Sequence, residues 1–183
     1  MAQANQPEMA LTQEVRFAVV MYGGISLAIY MNGVAQELFK MVRATAPRGD
    51  DPSLASRPDD GLRSTENVYR KLGRMLSWGE ATVEVSEADT RPIRTRFVVD
   101  ILSGSSAGGI NAVYLAKALA NDQKIDKLKD LWIEQGDMGV LINDEKSVSD
   151  TKLARQDPPR SLLNGSRMYW KLLEALDLSL IHI

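Results

Sequence analysis

The sequence predicts an α/β fold with a parallel sheet. Two short segments, 14–21 and 97–102, are apolar and rich in β-branched residues, as is typical of strands buried on both faces. Each is followed by a glycine-containing turn and then by apolar residues at helical spacing. Strands that alternate with helices favour parallel pairing, because a crossover helix connects them. Only two strands are clear, so the fold is expected to be incomplete at the C-terminus.

Composition limits the classes of protein that fit. The chain has 183 residues, a net charge of −2 and no cysteine. This length suits one domain, which we expect over 14–178. The absence of cysteine excludes disulfides and thiolate metal sites. The weak net charge argues against nucleic-acid binding. Neither a metal nor another cofactor is expected.

The N-terminal region is predicted to contain a tail, a strand, a turn and a helix. Residues 1–13 are polar, resemble no signal peptide and are expected to be disordered. After the strand, Tyr22, Gly23 and Gly24 form the turn. A helix then follows from Ser26, with apolar residues three or four positions apart: Leu27, Met31, Val34, Leu38 and Met41.

Residues 17–36 carry no charge over about the length that spans a bilayer. The same run contains three glycines, and its glycine pair lies where a strand would turn. A buried strand, turn and helix therefore account for it better than a transmembrane helix does.

The remaining segments follow from their composition. Residues 44–64 are rich in Pro, Gly, Asp and Ser and predict a flexible loop. Residues 139–159 are expected to be mostly loop, and 179–183 to be a frayed or non-native end. Helices are predicted over 65–78, 107–120, 125–135 and 161–178, the last at least from Arg167.

The turn after the second strand carries the motif G-x-S-x-G. Its residues are Gly104, Ser105, Ser106, Ala107 and Gly108. Between a strand and a helix this motif is typical of a nucleophile elbow, in which the serine oxygen projects beside unpaired N–H groups of the helix. Ser106 is thus a candidate nucleophile. The alternatives are a capping serine and an anion-binding loop.

The first glycine turn strengthens this hypothesis. Neighbouring parallel strands bring their turns together at the carboxyl edge of the sheet. The N–H groups of Gly23, Gly24 and Ile25 could then hold the oxyanion that forms when Ser106 attacks a carbonyl group. By itself a Gly-Gly pair is usually only a turn.

The base that would activate Ser106 is less obvious. The only histidine is His182, at the end of the chain, with no strand or loop to present it. A carboxylate acting as base is the other choice.

Four segments, in order, resemble patatin-like phospholipases, and more narrowly their bacterial patatin-related branch. They are MYGGISLAIYMNGV, SGSSAGGINAVYLAKAL, LWIEQGDMGVLIND and SLLNGSRM. The resemblance implies a three-layer fold related to the α/β-hydrolases and a lipid acyl hydrolase with a Ser–Asp dyad. It implies Ser106 as nucleophile and Gly23, Gly24 and Ile25 as the oxyanion loop.

Two features depart from that family. Tyr22, Ser26 and Leu27 replace a glycine, a basic residue and a glycine of its usual oxyanion loop. The family's catalytic Asp precedes a glycine well after the serine, whereas no Asp after Ser106 does so here, and Asp60-Gly61 lies before it. The catalytic Asp is therefore expected beyond residue 183, which would leave this piece inactive.

The expected substrate is a lipid ester, and the expected compartment is the cytoplasm, with peripheral membrane contact left open. Two other functions remain as alternatives. One is a non-catalytic patatin-like domain that binds lipid or protein, which the altered glycine loop favours. The other is an interaction or membrane-anchored segment, which the uncharged run 17–36 favours.

Overall fold

A computed structural model describes residues 13–46, 61–78, 95–145 and 161–180. The chain is mixed α/β, with a parallel pair of strands and mostly helices. In order, the described elements are β1 (Gln13–Met21), a 3₁₀ turn (Ile25–Leu27), α1 (Ala28–Thr45), α2 (Glu66–Trp78), β2 (Thr95–Gly104), α3 (Ala107–Asn121), α4 (Asp126–Gln135), α5 (Met138–Leu141) and α6 (Gly165–Leu180).

The predicted strands are neighbours. Strands β1 and β2 pair in one sheet, which has two strands within the described ranges. The prediction that the two segments are adjacent and parallel is confirmed. The three-layer arrangement remains a prediction, since two strands do not define it.

Contacts divide the chain into two compact units. The first unit is Met1–Val20 with Ala35–Ser103, and the second is Met21–Val34 with Gly104–Ile183. In the first unit, the rings of Phe17 and Phe97 lie 6.3 Å apart between centroids. On the exposed side of the same strands, Arg16 donates to Asp100 at 2.8 Å. Apolar and ionic cross-strand pairs thus set the pairing of β1 with β2.

Several predicted boundaries differ from the structure. Strand β1 begins at Gln13, the last residue of the predicted disordered tail 1–13. Strand β2 extends beyond the predicted 97–102 at both ends, and the predicted loop 139–159 begins within α5. Helix α1 continues through Thr45, two residues into the predicted loop 44–64, because Ala44 and Thr45 are buried. The Thr45 hydroxyl also accepts a hydrogen bond from the N–H of Phe97 at 3.0 Å. Helix α6 reaches Leu180, two residues into the predicted end 179–183. The tail up to residue 12, loop residues 47–60 and residues 181–183 lie outside the described residues.

The uncharged run 17–36 is divided among several elements. It contains the end of β1, the glycine turn, the 3₁₀ turn and the start of α1. In the described part of the chain, no helix combines the length and the apolar character needed to cross a bilayer.

Bridging and hydrogen bonds connect two segments of the second unit, 131–144 and 161–168, which also carry the sequence resemblance. We call this pair of connected segments the clip. Ile142 and Leu163 form an antiparallel bridge. The Arg167 guanidinium donates to the carbonyls of Val140 at 2.9 Å and Ile142 at 3.1 Å, and to the carboxylate of Asp144 at 3.2 Å. These two segments therefore have a structural role at the start of α6.

Candidate active site

The serine turn has the geometry of a strained strand-to-helix elbow. β2 ends at Gly104 and α3 begins at Ala107. Between them, Ser106 has φ 51° and ψ −126°. A non-glycine residue at positive φ is uncommon, and this ψ lies outside the left-handed helical well. Such conformations cost about 1–3 kcal/mol and occur preferentially at functional sites.

Close backbone packing requires glycine on both sides of Ser106. A Cβ on Gly104 would lie 2.5 Å from the carbonyl carbon of Gly108. A Cβ on Gly108 would lie 2.1 Å from the carbonyl oxygen of Met21, the last residue of β1. Both distances are far below van der Waals contact, so a side chain at either position would force the turn apart. The two glycines of the motif therefore serve this packing.

The Ser106 hydroxyl does not cap the helix. Ser106 occupies the N-cap position of α3, yet its side chain makes no capping hydrogen bond. It is exposed, and among the described residues no other group hydrogen-bonds to it. The backbone carbonyl of Ser106 does start the helix by accepting the N–H of Ile110 at 3.1 Å. The geometry thus argues against the capping alternative and leaves the hydroxyl available for chemistry.

The glycine turn packs directly against the serine turn. The N–H of Ser105 donates to the carbonyl of Met21 at 3.2 Å, and the N–H of Gly23 donates to the Ser105 hydroxyl at 3.0 Å. A Cβ on Gly23 would lie 2.8 Å from Cβ of Ser106. The prediction that both turns lie at one edge is therefore confirmed for Gly23 and the serine turn.

The glycine turn retains an N–H group that is available as a donor. The N–H of Gly23 already has Ser105 as acceptor. Gly24 has φ +152°, and its carbonyl accepts the N–H of Leu27 at 3.1 Å, which opens the 3₁₀ turn. Within the described ranges, the N–H of Gly24 donates to no acceptor. Unpaired N–H groups at the start of a helix are suited to stabilising an anion.

The electrostatics at the start of α3 favour negative charge. Neither the 3₁₀ turn nor the first turns of α1 and α3 contain an acidic residue, so these turns themselves place no carboxylate at the positive ends of the helices. Tyr114, about two turns into α3, is buried, and burial raises its pKa to about 12. Tyr114 therefore stays neutral at physiological pH and is a poor general base.

No base contacts Ser106 among the described residues. The Asp144 carboxylate accepts a hydrogen bond from the Arg167 guanidinium. The Asp137 carboxylate accepts a hydrogen bond from the N–H of Gly139 at 2.6 Å. Other aspartates after Ser106, at 122, 126, 130 and 177, are exposed. Asp150, Asp157 and His182 lie outside the described residues, so the predictions about them stay predictions. The described ranges also contain no cluster of His, Asp and Glu that could hold a metal ion.

Sequence analysis missed two polar residues that support this site. Ser105 was assigned only to the elbow, whereas its hydroxyl joins the two turns. Asn111, one turn after Ala107, is completely buried. Its signal in the sequence was an amide side chain among the small and apolar residues of α3, where a polar group needs a specific partner.

The chain is similar to part of a larger mycobacterial protein. A scan against protein-family models found no match, and no solved structure matched. Among curated proteins, the chain is similar to "Uncharacterized membrane protein Rv3479" of Mycobacterium tuberculosis, with 34% identity over 154 residues. The match includes 82% of this chain and 13% of that protein, so the chain spans about an eighth of the relative's length.

Proposed function

We propose that this chain carries the nucleophile and the oxyanion loop of a patatin-like serine acyl hydrolase that acts on lipid esters. The main support is the backbone of Ser106, with φ 51° and ψ −126°, which presents an exposed hydroxyl without a capping bond. The contact of this turn with the glycine turn supplies the second support. A structural cap needs neither feature.

In the proposed reaction, Ser106 Oγ attacks the ester carbonyl carbon while an aspartate accepts its proton. The carbonyl π electrons move to oxygen, and the N–H groups of Gly24 and Ile25 stabilise that oxyanion. The C–O bond to the alcohol then breaks, and the leaving alkoxide takes the proton back from the aspartic acid. Water then attacks the carbonyl carbon of the acyl-serine while the aspartate accepts a proton from the water. The bond to Ser106 Oγ breaks, Ser106 takes that proton, and a carboxylic acid is released.

Exposed side chains beside the glycine turn support a lipid substrate. Tyr22 and Tyr30 are 79% and 70% exposed, and Leu27 is 47% exposed. Exposed apolar and aromatic groups next to a reactive serine are suited to contact an acyl chain.

A fluorophosphonate probe tests the proposal in the full-length protein. We expect covalent labelling at Ser106, identified by peptide mass, and its loss in Ser106→Ala. Ser26→Ala is the matched control, since Ser26 is an exposed serine in the neighbouring 3₁₀ turn. Wild-type protein that is folded yet unlabelled and without esterase activity would contradict the proposal.

A non-catalytic lipid-binding domain is the second candidate. One observation favours it: no described carboxylate or imidazole contacts Ser106. This candidate predicts vesicle binding by the wild type and by Ser106→Ala alike, with no probe labelling of either. The hydrolase predicts labelling of the wild type only.

A further inference from the structure

A buried polar cluster lies in the second unit. Asn111 has 0% of its surface exposed, Asn32 has 1% and Trp132 has 8%. Burying an amide or indole N–H without partners is costly, so such groups are found inside proteins when their hydrogen bonds are made.

The Asn111 carboxamide makes four hydrogen bonds. Its nitrogen donates to the carbonyls of Ala28 at 3.2 Å and Ala107 at 3.0 Å. Its oxygen accepts the indole N–H of Trp132 at 3.2 Å and the side-chain amide of Asn32 at 3.4 Å. A carboxamide has two N–H donors and an oxygen with two lone pairs, so its capacity is filled.

The partners determine the orientation of this amide. A carbonyl oxygen only accepts, and an indole N–H only donates. Flipping the Asn111 amide would place its oxygen against two carbonyls and its NH₂ against the indole N–H of Trp132. The observed orientation is therefore the one that satisfies every group.

These bonds reach the beginnings of both helices that follow the candidate site. Ala107 comes directly after Ser106 and is the first residue of α3. Ala28 is the first residue of α1 and follows the 3₁₀ turn that begins at Ile25. The side-chain nitrogen of Asn111 thus donates to the first residue of the helix that follows the serine turn and to the first residue of the helix that follows the glycine turn.

We propose that Asn111 is a positioning residue that holds the two turns in register, with Trp132 and Asn32 holding Asn111. This role depends on the proposed function, because it matters only if Ser106 and the glycine turn act on one carbonyl group. Catalytic geometry tolerates little error, and a displacement of about 1 Å can cost about a hundredfold in rate. A shared bond to both helix starts limits such displacement.

Asn111→Leu in the full-length protein tests this role, since leucine has a similar size and no polar group. We expect kcat on a soluble ester, per folded molecule, to fall roughly 10- to 100-fold with KM within about twofold. The reason is that the serine turn and the glycine turn shift relative to each other, whereas the residues that contact the substrate are unchanged. Asn121→Leu is the matched control. Asn121 is on the same helix, also bonds a carbonyl four residues earlier, and is exposed. A residue with only a structural role would lower the folded fraction and leave kcat per folded molecule unchanged.

Trp132→Phe provides a second test if Asn111→Leu does not fold. It removes the indole N–H and keeps an aromatic ring. We expect a smaller fall in kcat, of roughly three- to tenfold, since the Asn111 amide loses only one of its bonds. In NMR spectra of the wild type, the indole proton of Trp132 should exchange slowly with solvent. In Asn111→Leu or Asn111→Ala it should exchange at least about tenfold faster.

The outcomes separate the two proposals. If the wild type is neither labelled by fluorophosphonate nor active on esters, the hydrolase function is wrong. If the wild type is active and Asn111→Leu and Trp132→Phe keep the kcat of Asn121→Leu, the positioning role alone is wrong. An unchanged indole exchange rate would contradict the hydrogen-bond network itself.

Discussion

Ser106 combines backbone strain with an unpaired side chain. Its φ of 51° places Cβ in an unfavourable position, and its hydroxyl gains no capping bond in return. Natural turns at such positions usually contain glycine, which has no Cβ. A serine here therefore costs stability, and the cost is understandable if the hydroxyl has a catalytic role.

Replacing Ser106 should reveal this strain. We expect the free energy of unfolding of Ser106→Gly to be about 1 kcal/mol higher than that of Ser106→Ala, so that the glycine variant is the more stable. Glycine relieves the strain, whereas alanine keeps the Cβ. Chemical denaturation of both variants measures the difference. At Ser103, in β2 and without positive φ, the order should reverse, since glycine weakens a strand. Equal stability of the two Ser106 variants would contradict the strain.

Gly24 tests the oxyanion loop. Its φ of +152° disfavours any side chain, and Gly24→Ala should tilt the N–H groups of Gly24 and Ile25. We expect kcat to fall with little change in KM. The loss of transition-state stabilisation should be at most about 2.7–4 kcal/mol, which is the cost of removing one oxyanion donor in other serine hydrolases. The assay is ester turnover per folded molecule. Gly33→Ala is the control, because a Cβ there meets nothing within 4 Å. If Gly24→Ala keeps kcat within about twofold, the loop has no oxyanion role.

At the scale of elements, small residues decide how α3 packs. The sequence places apolar Val113 on this helix, but Val113 is 59% exposed. The buried face instead includes Ala107, Gly108, Ala112 and Ala118. Small residues let backbones approach closely, since a Cβ added at Gly108 would clash with the carbonyl oxygen of Met21. The buried face thus combines these small residues with the large side chains of Tyr114 and Leu115.

Arg167 holds the clip between 131–144 and 161–168 together. Its side chain is 14% exposed, and its guanidinium donates to two carbonyls and to Asp144. We expect Arg167→Met to lower the free energy of unfolding by about 2 kcal/mol, because the substitution removes partly buried, charge-assisted hydrogen bonds. Lys171→Met, which removes a more exposed pair with Glu174, should change it by less than about 1 kcal/mol. Thermal unfolding of the two variants makes the comparison, and equal effects would contradict the clip.

We expect Glu37 to make the first unit sensitive to acid. Partial burial alone would raise its pKa, but hydrogen bonds from Lys40 at 2.8 Å and Tyr69 at 3.1 Å lower the pKa below 4.5 overall. A lowered carboxyl pKa stabilises the folded state above the unfolded pKa, and this contribution disappears as pH falls through the folded value. We therefore expect the wild type to exceed Glu37→Gln in melting temperature at pH 7 and to lose that advantage as the pH falls through the lowered pKa of Glu37. Glu134→Gln, on the exposed face of α4, controls for loss of a surface charge. A difference independent of pH would contradict this prediction.

At the scale of the whole molecule, the candidate site lies within one compact unit. The second unit, Met21–Val34 with Gly104–Ile183, contains the serine turn, the glycine turn and Asn111. The nucleophile and its backbone donors therefore come from two chain segments about 80 residues apart in sequence, Gly23 and Ser105 being separated by 82 positions. The base is the part of the proposed dyad that the described residues do not supply.

The isolated chain of residues 1–183 should be a poor esterase. Loss of the base in serine hydrolases costs on the order of 10⁴–10⁶ in rate. We expect ester turnover near background, measured beside Ser106→Ala. Robust hydrolysis that Ser106→Ala abolishes would place a base within this chain. Asp150, Asp157 and His182, outside the described residues, would then be the first to substitute.

Local patterns in the sequence determined the alternation of strands and helices, the two glycine turns and Ser106 as the candidate nucleophile. These features depend on residues close together in the chain, such as the glycines around Ser106 and the apolar run of each strand. Only the tertiary structure decided that Ser105 occupies the N–H of Gly23 and that Asn111 bonds both helix starts. Those contacts join residues about 80 positions apart, so they exist only once β1 and β2 pair and bring the following turns together.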